Sequence, residues 1–102
     1  MTTWNLGPVD RIALGEGRAY RAGEHEVAVF RTRTGGVFAT QARCPHKQGP
    51  LADGIVGAHQ VICPLHAYTF DLHTGCPKNG TCEALRTYEV EVNSAGDVLL
   101  HV

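Results

Sequence analysis

Two short segments, each placing a cysteine and a histidine within one turn of chain, restrict the fold of this protein more than any other feature. The first is Cys44-Pro45-His46 and the second is Cys63-Pro64-Leu65-His66, with sixteen residues between His46 and Cys63. Each segment offers a thiolate and an imidazole from one loop, and proline stiffens the backbone beside them. Loops of this kind can aim their ligands at one object while the strands behind them stay rigid.

Those strands are legible as short β-rich runs: 17–21, 25–32, 37–42, 60–63, 68–72, 85–92 and 97–102. Turn chemistry separates them at Ala22-Gly23-Glu24, Thr34-Gly35-Gly36, His73-Thr74-Gly75 and Asn93-Ser94-Ala95-Gly96. In Thr87-Tyr88-Glu89-Val90-Glu91-Val92 the alternation assigns Tyr88, Val90 and Val92 to a core face and both glutamates to water. Val27-Ala28-Val29-Phe30 is apolar on both faces, the pattern of a strand sandwiched inside the fold. No stretch has a helical period long enough for a helix, although Pro8 to Leu14 suits a single turn. The expected class is all-β. Between Arg43 and Thr81 the strands shorten, and the loops there hold most of the Pro, Gly, His and Cys.

Composition limits the partners. One hundred and two residues make one domain. Nine Lys+Arg against ten Asp+Glu leave a formal charge of −1, so no nucleic-acid partner is expected. The longest apolar run, Val27 to Phe30, is far short of the roughly 20 residues that span a bilayer. The N-terminus has neither a basic nor an apolar signal region. The expectation is a soluble, cytoplasmic protein with no membrane partner, whose four cysteines are metal ligands or spare thiols rather than a disulfide framework.

Two acceptors take two thiolates and two imidazoles. One is a tetrahedral Cys₂His₂ zinc, and the other is a [2Fe–2S] cluster with two Cys on one iron and two His on the other. The single residue between Cys44 and His46 is cramped for chelating one zinc, but presents no difficulty where the two side chains bind different irons.

These segments resemble the Rieske ferredoxin family, and the match runs beyond them. Gly49-Pro50-Leu51-x-x-Gly54, Val61-Ile62-Cys63-Pro64-Leu65-His66, Phe70-Asp71-Leu72-x-Thr74-Gly75 and the return strand Leu85 to Val90 follow the family's pattern from about His25 onward. The resemblance implies a Rieske fold of small antiparallel sheets spanning 1–102, with a cluster-binding subdomain at about 43–82. It also implies one [2Fe–2S] cluster per chain, held by Cys44, His46, Cys63 and His66. Gly75 to Gly80 resembles the Pro-containing loop that covers the cluster.

The resemblance includes departures. Membrane-complex members carry an additional cysteine in each loop; Gly49 and Leu65 stand at those positions here, so that disulfide cannot form. Phe70 lacks the hydroxyl those proteins offer to sulfur, and Ala67 replaces the commoner glycine. Fewer donors to sulfur imply a potential at the low end of the Rieske range, roughly −150 mV.

The stretch from Cys44 to Gly57 is similar to the small subunit of assimilatory NAD(P)H nitrite reductase. That implies a redox subunit, not catalytic alone, working beside a large flavin and sirohaem subunit. The alternative is a stand-alone ferredoxin between a reductase and an aromatic-ring dioxygenase. No G-x-G-x-x-G is present, so the chain takes no hydride itself. Cys76 and Cys82 read as spare thiols or a bonded pair, and His25, His59, His73 and His101 as surface residues. Trp4 reads as a packing residue, and Arg43, Lys47 and Lys78, which flank the ligand loops, as either solvated side chains or a basic docking rim.

Overall fold

The computed structural model describes residues 2–45, 49–64, 68–78 and 83–102. Its organising element is β3, His25–Arg31, in which Val27, Ala28, Val29 and Phe30 are all completely buried. Successive side chains of a strand point to opposite faces, so full burial of four in a row requires a core on each side. Ala28 and Phe30 enter one core with Cys44, Leu51, Val61, Cys63, Phe70 and other apolar residues. Val27 and Val29 enter a second with Ile12, Ala22, Ala39, Val98 and Leu100. The strand is the wall between them.

The described strands form two antiparallel sheets. Six strands run in the order β1 (Thr3–Pro8), β9 (Asp97–His101), β8 (Thr87–Val92), β4 (Val37–Gln41), β3, β2 (Glu16–Ala22). The second sheet has the order β5 (Ile55–Val56), β6 (Gln60–Ile62), β7 (Thr69–Asp71). Local contacts set the hairpins: β2 and β3 pair along their full length from Glu16↔Arg31 to Ala22↔His25. In the last turn, Asn93 Oδ1 accepts hydrogen bonds from the amides of Ala95 (3.0 Å) and Asp97 (2.9 Å).

All seven expected strands are present. Two more, β1 and β5, have no matching expectation because neither shows clean alternation. β1 exists through its pairing with β9, including Trp4↔Leu100, and β5 through two rungs with β6. The turn expected near Pro8 is a 3-10 turn at Val9–Arg11, with Pro8 as its cap residue. Tyr88 and Val90 pack against the second core as the alternation requires, but Val92 is 40% exposed. It is the last β8 residue paired with β9, opposite the completely buried Val98. No helix among the described residues is long and apolar enough to cross a membrane.

Candidate metal centre

Both cysteine loops emerge from antiparallel pairs and are closed at the neck in the same way. The first leaves the bridge between Arg43 and Pro50, behind which Leu51 N–H donates to the Ala42 carbonyl at 2.9 Å. The second leaves β6 and β7 after their last rung, Ile62↔Thr69. Across the first neck the Cys44 amide donates to the Gly49 carbonyl at 2.9 Å, and across the second the Cys63 amide donates to the Tyr68 carbonyl at 2.7 Å. Each cysteine thus pins its own loop five residues downstream, and the partner histidine falls inside the closed segment. Satisfying these amides matters because both residues are buried, Cys44 at 0% and Cys63 at 1% exposure.

The two thiols belong to one core and neither is in a disulfide. Leu51, Val56, Val61 and Phe70 pack in that same core, so the two loop necks share one apolar floor. His46, His66, Lys47, Leu65, Ala67 and Cys82 lie outside the described residues. Of the four expected ligands, the structure therefore brings together Cys44 and Cys63. Two buried thiols outside any disulfide, each at the neck of a loop that carries a histidine, suit an acceptor that takes a thiolate pair from one side and imidazoles from the other. Phe70, completely buried among them, offers no hydroxyl.

The floor is held by residues whose roles lie in backbone contact. At Gly54 a Cβ would collide with the Ile62 carbonyl oxygen, so only glycine lets the turn at Leu51–Asp53 lie against β6. Gly75 has φ +79°, and a Cβ there would strike the Leu85 carbonyl. Gly75 also accepts the Leu85 amide at 2.7 Å, fastening the turn after β7 to the chain entering β8. Gln41 is a clamp that the sequence does not reveal. Its Nε2 donates to the Arg43 carbonyl at 2.7 Å, and its Oε1 accepts the Arg86 amide at 2.8 Å. Only the fold brings residue 86 beside residue 41.

The described part of the Pro-containing loop runs along β7: Asp71 N–H donates to the Cys76 carbonyl at 2.9 Å, Lys78 N–H donates to Thr69 at 2.7 Å, and Phe70 bridges Pro77. Cys76 is exposed and unbonded. Desolvation opposes ionisation of Asp71, but the amides of His73 and Thr74, with the nearby charges of Lys78 and His73, outweigh it and hold the carboxyl below its ordinary range.

The two described residues of the candidate basic rim, Arg43 and Lys78, engage their neighbours. Arg43 Nε lies 3.9 Å from Glu26, and Lys78 Nζ donates to Gln60 Oε1 at 3.0 Å. Histidine 25 meets Tyr88 edge-on at 6.0 Å. His101 sits between Thr3 and Glu91, at 3.0 and 3.5 Å, with its side chain only 19% exposed, so it is less of a surface residue than expected. Trp4, 37% exposed, lies over Gly23 as a packing residue.

Comparison with known proteins agrees with this geometry. The model of the Rieske [2Fe-2S] domain matches residues 3–89. The anthranilate 1,2-dioxygenase ferredoxin subunit of Burkholderia cepacia is 34% identical over 94 residues, covering 90% of this chain and 86% of that one. The ferredoxin of carbazole 1,9a-dioxygenase from Nocardioides aromaticivorans IC177 superposes with a TM-score of 0.87 at 29% identity, over 98% of this chain and 97% of the other. A Mycobacterium tuberculosis protein assigned as an NADH-dependent nitrite reductase small subunit gives a TM-score of 0.90 over 99% and 96% of the two chains, and at 22% identity it speaks to the fold alone. With buried thiols at two loop necks and a family match over most of its length, the chain belongs to the Rieske [2Fe–2S] domain family and is an electron-transfer ferredoxin that carries one [2Fe–2S] cluster.

Proposed function

We propose that Cys44 and Cys63 ligate one iron of the cluster and His46 and His66 the other, within a cluster-binding unit at about 43–82 of a single domain spanning the chain. The observation that carries this assignment is the shared core of the two buried cysteines at matching loop necks. The bound cluster supplies storage for one electron. The protein's own residues do the rest: Leu51, Val61 and Phe70 exclude water from the thiolate side, and the two neck hydrogen bonds fix where the ligands point. Purified protein should contain about two irons and two acid-labile sulfides per chain and give a rhombic EPR signal once reduced. A colourless protein holding one zinc would overturn the ligand assignment.

The partner follows from the stretch Cys44 to Gly57, whose resemblance to nitrite reductase small subunits supports a cytoplasmic electron-carrying subunit of an assimilatory NAD(P)H nitrite reductase. Electrons would cross at the histidine edge, with Arg43, Lys47 and Lys78 meeting acidic groups of the large subunit. The second reading, a ferredoxin feeding an aromatic-ring oxygenase, is favoured by the 34% identity with a dioxygenase ferredoxin over nearly its full length. Stopped-flow oxidation of the reduced protein by each system separates the two. Transfer to the sirohaem reductase supports the first reading, and transfer only to the oxygenase replaces it with the second. Lys47→Glu with Lys78→Glu should slow transfer to the true partner at low ionic strength and leave the cluster spectrum unchanged, because rim charges act mainly on association.

A further inference from the structure

We propose that His59 and His73 form a second metal site, separate from the cysteine loops, that binds a borderline divalent transition ion such as Zn²⁺ or Ni²⁺ through the two imidazoles, with water completing its coordination. The β6–β7 hairpin has two ends. Cys63 and its loop leave one. At the other, the Leu72 amide donates to the His59 carbonyl at 2.8 Å, adding a rung beyond Gln60↔Asp71. His59 and His73 therefore stand on adjacent segments at the end remote from Cys63.

Their ring centres are 6.0 Å apart with the planes inclined at 43°. A zinc–imidazole bond of about 2.0–2.1 Å puts the ion about 3.2 Å from each ring centre, so two rings on one ion have centres up to about 6.4 Å apart. The observed separation lies inside that limit. Closing the angle at the metal toward the tetrahedral value needs an approach of about 1 Å, within the reach of side-chain rotation.

Both side chains are exposed, yet their backbones are fixed. Asp71 Oδ1 accepts the amides of His73 (2.7 Å) and Thr74 (3.2 Å), and the Gly75 amide donates to the Asp71 carbonyl at 2.7 Å. The His73 ring rests edge-on against Phe38 at 4.7 Å. On the other segment the Gly57 amide donates to Gln60 at 2.8 Å, closing the tight turn that carries His59. Preorganisation of this kind lowers the ordering cost of chelation. The Asp71 carboxylate offsets the charge of Lys78 on the neighbouring rung. Imidazole pairs select Zn, Ni or Cu over Mg or Ca, which prefer oxygen.

The test is calorimetric titration of the cluster-loaded protein with Zn²⁺ and with Ni²⁺, following cluster absorbance in parallel. One ion should bind per chain without change in the cluster spectrum. His59→Gln and His73→Gln should each weaken binding at least tenfold, whereas Cys76→Ser should leave it unchanged. Binding that survives both histidine variants, or that disappears with Cys76→Ser, overturns the site. His59 is exposed and sits in the turn before β6, so its variant keeps the test valid even if His73→Gln disturbs the other turn.

Discussion

A single buried oxygen shows how residue-scale chemistry constrains this chain. Tyr20 Oη has no hydrogen-bond partner among the described residues, although its ring packs on the second core. Burial pushes its ionisation up, against the opposing charges of Arg18 and Arg11. A buried hydroxyl without a partner costs about 1–3 kcal/mol, so Tyr20→Phe should raise stability by about 1 kcal/mol in urea unfolding. An unchanged or lower midpoint would mean that the oxygen finds a partner in solution. Asp71 acts in the opposite sense. Its carboxyl lies below the ordinary range, so ionisation favours the folded state. That stability is complete above the unfolded carboxylate value, about 3.9, and is lost as pH falls through the lower folded value. Asp71→Asn keeps an oxygen for the amides of His73 and Thr74 but removes the charge. Thermal melts should show the wild type more stable near neutrality, with the gap closing in acid; a gap independent of pH would assign the effect to the hydrogen bonds alone.

The elements depend on backbone contacts more than on side-chain pattern. The turn at Leu51–Asp53 reaches β6 only because Gly54 has no side chain toward the Ile62 carbonyl. Gly54→Ala should force the turn away from β6 and cost about 1–3 kcal/mol, the usual range for overpacking. Since β6 runs directly into Cys63, the same variant should broaden the EPR signal of the reduced cluster. Stability lost with an unaltered signal would show that the turn supports the sheet but not the ligand. Gln41 makes the corresponding link for the other loop, holding the carbonyl of Arg43 next to Cys44 while it receives the amide of Arg86. Gln41→Ala leaves that amide without its acceptor. Its expected cost is about 1 kcal/mol in urea unfolding.

At the scale of the whole molecule, two cores share one wall. Among the described residues, the core around Val27, Val29, Val98 and Leu100 has no buried cysteine or histidine, whereas the core around Ala28 and Phe30 includes Cys44 and Cys63. Removing the cluster should therefore loosen one side of β3 and spare the other. In hydrogen-exchange mass spectrometry, peptides covering 42–64 and 68–78 should lose protection on iron removal, while those covering β8 and β9 keep theirs. Uniform loss across all strands would show that the two cores unfold as one unit.

The amino-acid sequence by itself determined the chemistry and much of the frame. The two Cys/His segments imply the cluster through donor type and spacing, and the family match bears out one [2Fe–2S] cluster per chain. The strands with strong local patterns are legible for the same reason, since alternation and turn residues act over a few neighbours. The double-sided burial of Val27 to Phe30 is written directly in four consecutive apolar residues. The tertiary structure decided what depends on distant partners. β1 and β5 are strands because β9 and β6 complete their hydrogen bonds, Val92 is 40% exposed although local alternation turns it inward, and Gln41 clamps a loop through Arg86, far away in sequence. The two thiols share a floor because the necks of two loops distant in sequence close over Leu51, Val61 and Phe70, a long-range arrangement that no local pattern encodes.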